Sequence, residues 1–96
     1  MKIDFSPNFY RQYKKANVRI RKSVDKKIAI FIKNPYDSSL NNHLLHEPYQ
    51  EYRSIDITAY YRALYEEVHL GTEELAYFVR IGTHGQLYGK IWEKLK

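Results

Sequence analysis

The spacing of apolar residues changes period once along this chain of 96 residues, dividing it into a helical front half and a stranded back half. Lys2–Phe5 reads as a short opening strand. Ser6-Pro7 then predicts a helix start, because the hydroxyl can cap and proline fits the first helical position, where its missing N–H costs nothing. Phe9, Tyr13 and Ala16 fall on one face of that helix. Ile20, Val24, Ile28 and Phe31 continue at helical spacing in a second, with Lys and Arg filling its other faces. Asn34-Pro35 ends it, since the residue before a proline avoids helical backbone. Residues 36–42 read as a polar loop.

Beyond that loop the period becomes two. Over residues 52–58 the isoleucines Ile55 and Ile57 hold odd positions, while the even ones are polar apart from Tyr52. This is the alternation of a strand with one wet face. Residues 60–68 and 75–81 predict two more strands, joined across residues 71–74, whose Gly-Thr-Glu-Glu reads as a hairpin turn. Residues 86–95 predict a short closing helix carrying Leu87, Ile91 and Leu95 on one stripe. The predicted order is β-α-α-β-β-β-α over residues 1–96. It describes one α+β domain, a small mainly antiparallel sheet with two helices packed on one face. The other sheet face is expected to be partly bare.

Charge sharpens this picture. The net charge is +5, yet residues 7–33 carry nine Lys and Arg against Asp25 alone, a local +8 that leaves −3 for the rest. Such asymmetry favours a polyanionic partner, nucleic acid or an acidic protein segment, over a merely solvated helix face. The chain has no cysteine, which excludes disulfides and thiolate metal sites and fits a cytoplasmic protein. Its apolar runs are far too short to span a membrane, and Met1-Lys2-Ile3-Asp4-Phe5 lacks the core of a signal peptide, so no membrane partner is expected.

Candidate chemistry gathers in the back half. Arg80-Ile81-Gly82-Thr83-His84-Gly85-Gln86-Leu87-Tyr88 closes a strand and places His84 just past its end, where a rigid scaffold presents a side chain to water. Imidazole exchanges a proton near neutral pH, which makes His84 the first acid–base candidate. His43 is a second loop histidine. His46 and His69 read as surface residues, and the four histidines lack the cysteines or clustered carboxylates that would complete a metal set. No metal or other cofactor is expected. Arg62 alternates with Tyr61 and Ala63, so only one parity of that strand can face the open side. Ten tyrosines exceed what a small core needs, and aromatic faces suit stacking on unpaired bases.

His43, Tyr52-Arg53, Tyr61-Arg62-Ala63-Leu64-Tyr65, Arg80-Ile81-Gly82-Thr83-His84 and Leu87-Tyr88-Gly89 together resemble the RelE/ParE toxin superfamily, above all its YafQ-like branch of mRNA interferases. The resemblance is specific over residues 43–89. It implies a toxin of a type II toxin–antitoxin pair, a ribosome-dependent endoribonuclease that cleaves mRNA through its 2′-hydroxyl without a metal. By position, His43 and His84 take the acid–base roles and Tyr88 the late aromatic position. Tyr61 stands where an aromatic can stack on a base, and Arg62 where many relatives bind phosphate. Arg80 and Tyr60 join the RNA-binding candidates, with Lys22, Lys26 and Lys27 on the basic helices. The branch's other histidine falls at Asp56, which could orient an imidazole or act as base itself; its usual aspartate falls at Tyr60, which can donate a hydrogen bond to phosphate. Implied partners are a cognate antitoxin, the ribosome with its mRNA, and operator DNA only as the toxin–antitoxin complex. Two alternatives stand beside this reading. One is a ParE-like toxin that inhibits gyrase. The other is a catalytically weak homologue that mainly binds antitoxin and operator DNA.

Overall fold

The computed structural model describes residues 1–88. The elements are β1 (Lys2–Phe5), α1 (Pro7–Lys15), α2 (Val18–Lys33), β2 (His43–Leu44), β3 (Tyr52–Asp56), β4 (Tyr61–Leu70), β5 (Glu73–Thr83) and α3 (His84–Tyr88), with a single 3-10 turn at Ser38–Leu40 before β2. The five strands form one sheet in the order β1-β5-β4-β3-β2. β1 runs parallel to β5, and every other pairing is antiparallel. The expected α+β architecture is therefore present, with one strand more than the periodicity predicts. No helix among the described residues is long and apolar enough to cross a membrane.

The helix pair begins where its caps dictate. Ser6 Oγ accepts from Phe9 N–H at 3.0 Å and donates to the Val79 carbonyl at 2.8 Å, so one hydroxyl both caps α1 and ties it to β5. Asn17 caps α2 in the same way through Ile20 N–H at 3.0 Å. Between them, α1 and α2 bury Phe9, Ile20, Val24, Ile28 and Phe31 against Ile55, Ala63, Tyr65, Ala76, Phe78 and Ile81 of the sheet. Phe31 meets Phe78 edge-on, with centroids 5.1 Å apart, and meets Tyr65 at 5.0 Å. Past the end of β1, Gln12 of α1 accepts from Ile81 N–H at 2.8 Å and satisfies a β5 donor that the short parallel strand cannot reach.

The opposite sheet face is not left bare. Leu64 of β4 and Leu87 of α3 are fully buried there, with Leu45, Tyr49, Tyr52 and Val79 packed around them. The β2–β3 loop and α3 thus cover part of the face that patterning left open, and what remains between them is a cleft. The hairpin turn is also tighter than predicted. Leu70 pairs with Glu73 across Gly71 and Thr72, and Gly71 supplies the positive φ of +65° that the reversal needs. The closing helix starts at His84 rather than Gln86; residues 89–96, with Ile91 and Leu95 of the predicted stripe, lie outside the described residues.

Candidate active site

Cross-strand register sets out the floor of the cleft. On the face away from α1 and α2, His43, Ser54, Leu64 and Arg80 form one row across β2, β3, β4 and β5. Asp56, Arg62 and Gly82 form the next. His84 opens α3 just past Gly82 and Thr83. A cleft of about 400 Å³ lies over these rows, lined by Asn41, His43, Leu45, His46, Glu47, Tyr49, Ser54, Arg62 and His84. His43 is carried by β2 at one edge of the sheet and His84 follows the end of β5, three strands away, with Arg62 on β4 between them in strand order.

His43 is oriented by its own neighbours. Asn41 takes a left-handed backbone, φ 47°, and its carbonyl lies 2.7 Å from His43 Nδ1. A carbonyl can only accept, so Nδ1 carries the proton and Nε2 of the neutral ring is a proton acceptor. Asn42 locks the approach to β2. Its Nδ2 donates to Pro35 O at 2.9 Å and to the Tyr65 hydroxyl at 2.8 Å, while its Oδ1 accepts from Arg53 Nε at 2.8 Å. Burial raises the Tyr65 hydroxyl above the ordinary tyrosine range, and it stays protonated. Neither asparagine is marked by hydrophobic patterning, although Asn is, after glycine, among the residues most at ease in left-handed backbone and two stand directly before the histidine.

His84 is held by a capping box. Thr83 N–H donates to Gln86 Oε1 at 2.9 Å, and Gln86 N–H donates to Thr83 Oγ1 at 3.3 Å. The spacing Thr-x-x-Gln announces this start in the sequence. Gly82 lies close beneath it: a Cβ there would come to 3.0 Å from Gln86 Oε1 and 3.2 Å from its Cβ, so Gln86 would have to shift by a few tenths of an ångström.

Arg62 projects into the cleft while Tyr61 and Ala63 face the helices, so parity selects the arginine. Its Nη1 donates to the carbonyls of Thr58, Ala59 and Tyr61, at 2.9, 3.2 and 3.1 Å, and its Nε lies 2.9 Å from Asp56 Oδ1. Tyr60 is 78% exposed at the tip of the turn that these bonds brace.

The remaining candidates lie elsewhere. Asp56 stands beside Arg62 on the neighbouring strand and is not among the residues lining the cleft. Tyr61 packs against the helix-side core rather than presenting a stacking face in the cleft. Arg80 is only 5% exposed in the sheet, and burial lowers its guanidinium below the usual arginine value. Lys22 and Lys26 are exposed on α2, whose buried stripe of Ile20, Val24 and Ile28 turns them away from the sheet; Lys27 reaches the Ser39 carbonyl at 3.0 Å. The helix layer therefore separates all three lysines from the cleft. Of Tyr88 only the backbone, ending α3, is described. His46, which read as a surface position, lines the cleft, as does Glu47, which the sequence reading did not single out. Among the described residues no three His, Asp or Glu side chains group as metal ligands.

A mixed five-stranded sheet with its helix pair on one face and a short capped helix beside a cleft on the other is the fold of the RelE/ParE toxins, in its YafQ-like form. YafQ from E. coli strain BL21(DE3) superimposes with a TM-score of 0.73 at 24% identity, over 92% of this chain and 98% of its own. A YoeB/ParE toxin from Agrobacterium tumefaciens gives 0.70 at 20% identity, over 88% and 99%. A chain of the toxin–antitoxin complex RelBE2 from Mycobacterium tuberculosis gives 0.68 at 17%, over 86% and 96%. At these identities the likeness is one of fold. No protein-family model matches the sequence, nor does any curated protein.

Proposed function

We propose that this chain is the toxin of a toxin–antitoxin pair and that it acts as an endoribonuclease on mRNA in the ribosome, without a metal. The observation that carries the reading is the grouping of His43, Arg62 and His84 around one cleft, with His43 Nε2 left as the acceptor. Cleavage through a ribose 2′-hydroxyl needs a base, an acid and a cation at the phosphorus. His43 Nε2 takes the 2′-hydroxyl proton as the 2′-oxygen bonds to phosphorus. Arg62 stabilises the charge that gathers on the phosphorane oxygens. His84, as imidazolium, protonates the departing 5′-oxygen, the P–O5′ bond breaks, and a 2′,3′-cyclic phosphate remains. The exposed Tyr60 ring beside Arg62 offers a surface on which an unpaired base can stack.

The antitoxin partnership rests on fold. The structural neighbours include the E. coli DinJ-YafQ toxin-antitoxin complex, at a TM-score of 0.71 and 23% identity. The basic layer of α1 and α2 supplies a surface for an acidic segment of such a partner. The test is tightly induced expression in cells with mapping of mRNA ends. Cleavage confined to translated messages is the expected result. Intact messages with collapsed DNA supercoiling would replace this reading with gyrase inhibition, and no effect at confirmed expression would leave a binding role alone.

A further inference from the structure

The charge partner of Arg62 is built into the sheet. Asp56 and Arg62 are direct cross-strand neighbours on β3 and β4, on the cleft-side face. Arg62 Nε lies 2.9 Å from Asp56 Oδ1, and each side chain is 29% exposed. Oδ1 is buried without a hydrogen bond, so the contact is an ion pair lying off the N–H axis. A pair held by charge at poor hydrogen-bond angle is easier to open than an aligned fork. The other anchors of the guanidinium are the loop carbonyls of Thr58, Ala59 and Tyr61, which all accept from Nη1. Nη2 takes part in none of these bonds and remains a donor for an incoming oxyanion.

We propose that Asp56 is a positioning residue: it holds Arg62 in place as an exchangeable counter-ion, and yields the guanidinium to the scissile phosphate when RNA enters the cleft. The inference rests on the cleft reading above. It assigns Asp56 no proton transfer, for the carboxylate is not among the residues lining the cleft and is engaged by Arg62. In the empty site Asp56 neutralises Arg62 and keeps the long side chain ordered. In the occupied site the phosphate oxygens replace it. The carboxylate therefore competes with the substrate for the same cation, and this sets the sign of every expected effect.

The experiment uses the full chain and two probes that need no turnover, a 2′-O-methyl oligoribonucleotide and inorganic phosphate. Asp56→Asn should tighten the oligoribonucleotide by about threefold to tenfold, the effect of removing one partly screened opposing charge. Asp56→Glu should restore wild-type affinity, and in an Arg62→Gln background Asp56→Asn should change nothing. In ribosomes, kcat of Asp56→Asn should fall by less than about tenfold, whereas loss of a general base costs about 10²–10⁴. A large kcat loss at unchanged affinity, or the same tightening without Arg62, overturns the proposal. The wild-type protein supplies a readout independent of any variant's folding. Titrated phosphate should move the NMR signals of Arg62 Nε–H and Asp56 Cγ together, and a static Asp56 signal overturns it. Because binding and NMR do not depend on cleavage, a protein that never cuts RNA would sink the proposed function while this coupling is still measured.

Discussion

Single residues position the proposed acid–base pair through what lies around them. The Asn41 carbonyl fixes the tautomer of His43, and Asn42 fixes the strand that carries it by bonding Tyr65, Pro35 and Arg53 at once. Asn42→Ala leaves the hydroxyl of the buried Tyr65 without this partner and should cost about 1–3 kcal/mol in urea unfolding. Adding Tyr65→Phe should recover part of that loss, because removing both partners of a buried hydrogen bond is nearly neutral. A double variant no more stable than Asn42→Ala would show that the network holds little. His84→Ala should lose cleavage by about 10²–10⁴ with the melting temperature nearly unchanged, since the side chain is exposed at the first position of α3. His84 was legible from the sequence as a strand-end imidazole, whereas His43, read as a loop residue, opens β2 and pairs with Ser54. The ion pair of Asp56 and the burial of Arg80 were not legible, because they depend on cross-strand register, and one β-bulge at Val79 shifts which β5 residues lie opposite Leu64 and Tyr65.

Among the elements, those with enough residues to show a period were readable. The front helices and β3, β4 and β5 follow from alternation and helical spacing, with ends displaced by one or two residues. β2 has only His43 and Leu44, too few for a period, and exists because β3 offers it a pairing edge. The second small core under α3 was missed for a related reason: Leu64 and Leu87 are 23 positions apart, and only the fold brings them together. The start of α3 at His84 lies two residues before the predicted Gln86, where the Thr83-x-x-Gln86 spacing marks it. Thr83→Ala should lower stability by about 1 kcal/mol through loss of the cap. Gly82→Ala should disturb the same cap from below by pushing Gln86 aside. Both variants should reduce cleavage more than melting temperature, because α3 is short and carries His84. Full activity in both would mean that the position of His84 is not set by this cap.

At the scale of the whole molecule, the two sheet faces divide the work. The cleft occupies one face, and α1 and α2, with the local charge of +8 over residues 7–33, cover the other. Charge reversal at Lys22, Lys26 and Lys27 should therefore leave binding of a short oligoribonucleotide in the cleft near wild type. It should weaken ribosome co-sedimentation steeply and reduce its salt dependence, because polyanion contacts release counterions. Undiminished ribosome binding would assign the basic face to a protein partner or to solubility. The central claim, that His43 and His84 cut RNA through its own 2′-hydroxyl, is tested most directly on programmed ribosomes. The message is supplied in two forms, one with ribose and one with a single 2′-deoxyribose at the cleaved position. The account predicts cutting of the first to a 2′,3′-cyclic phosphate end and no cutting of the second. Equal cutting of both messages would contradict it.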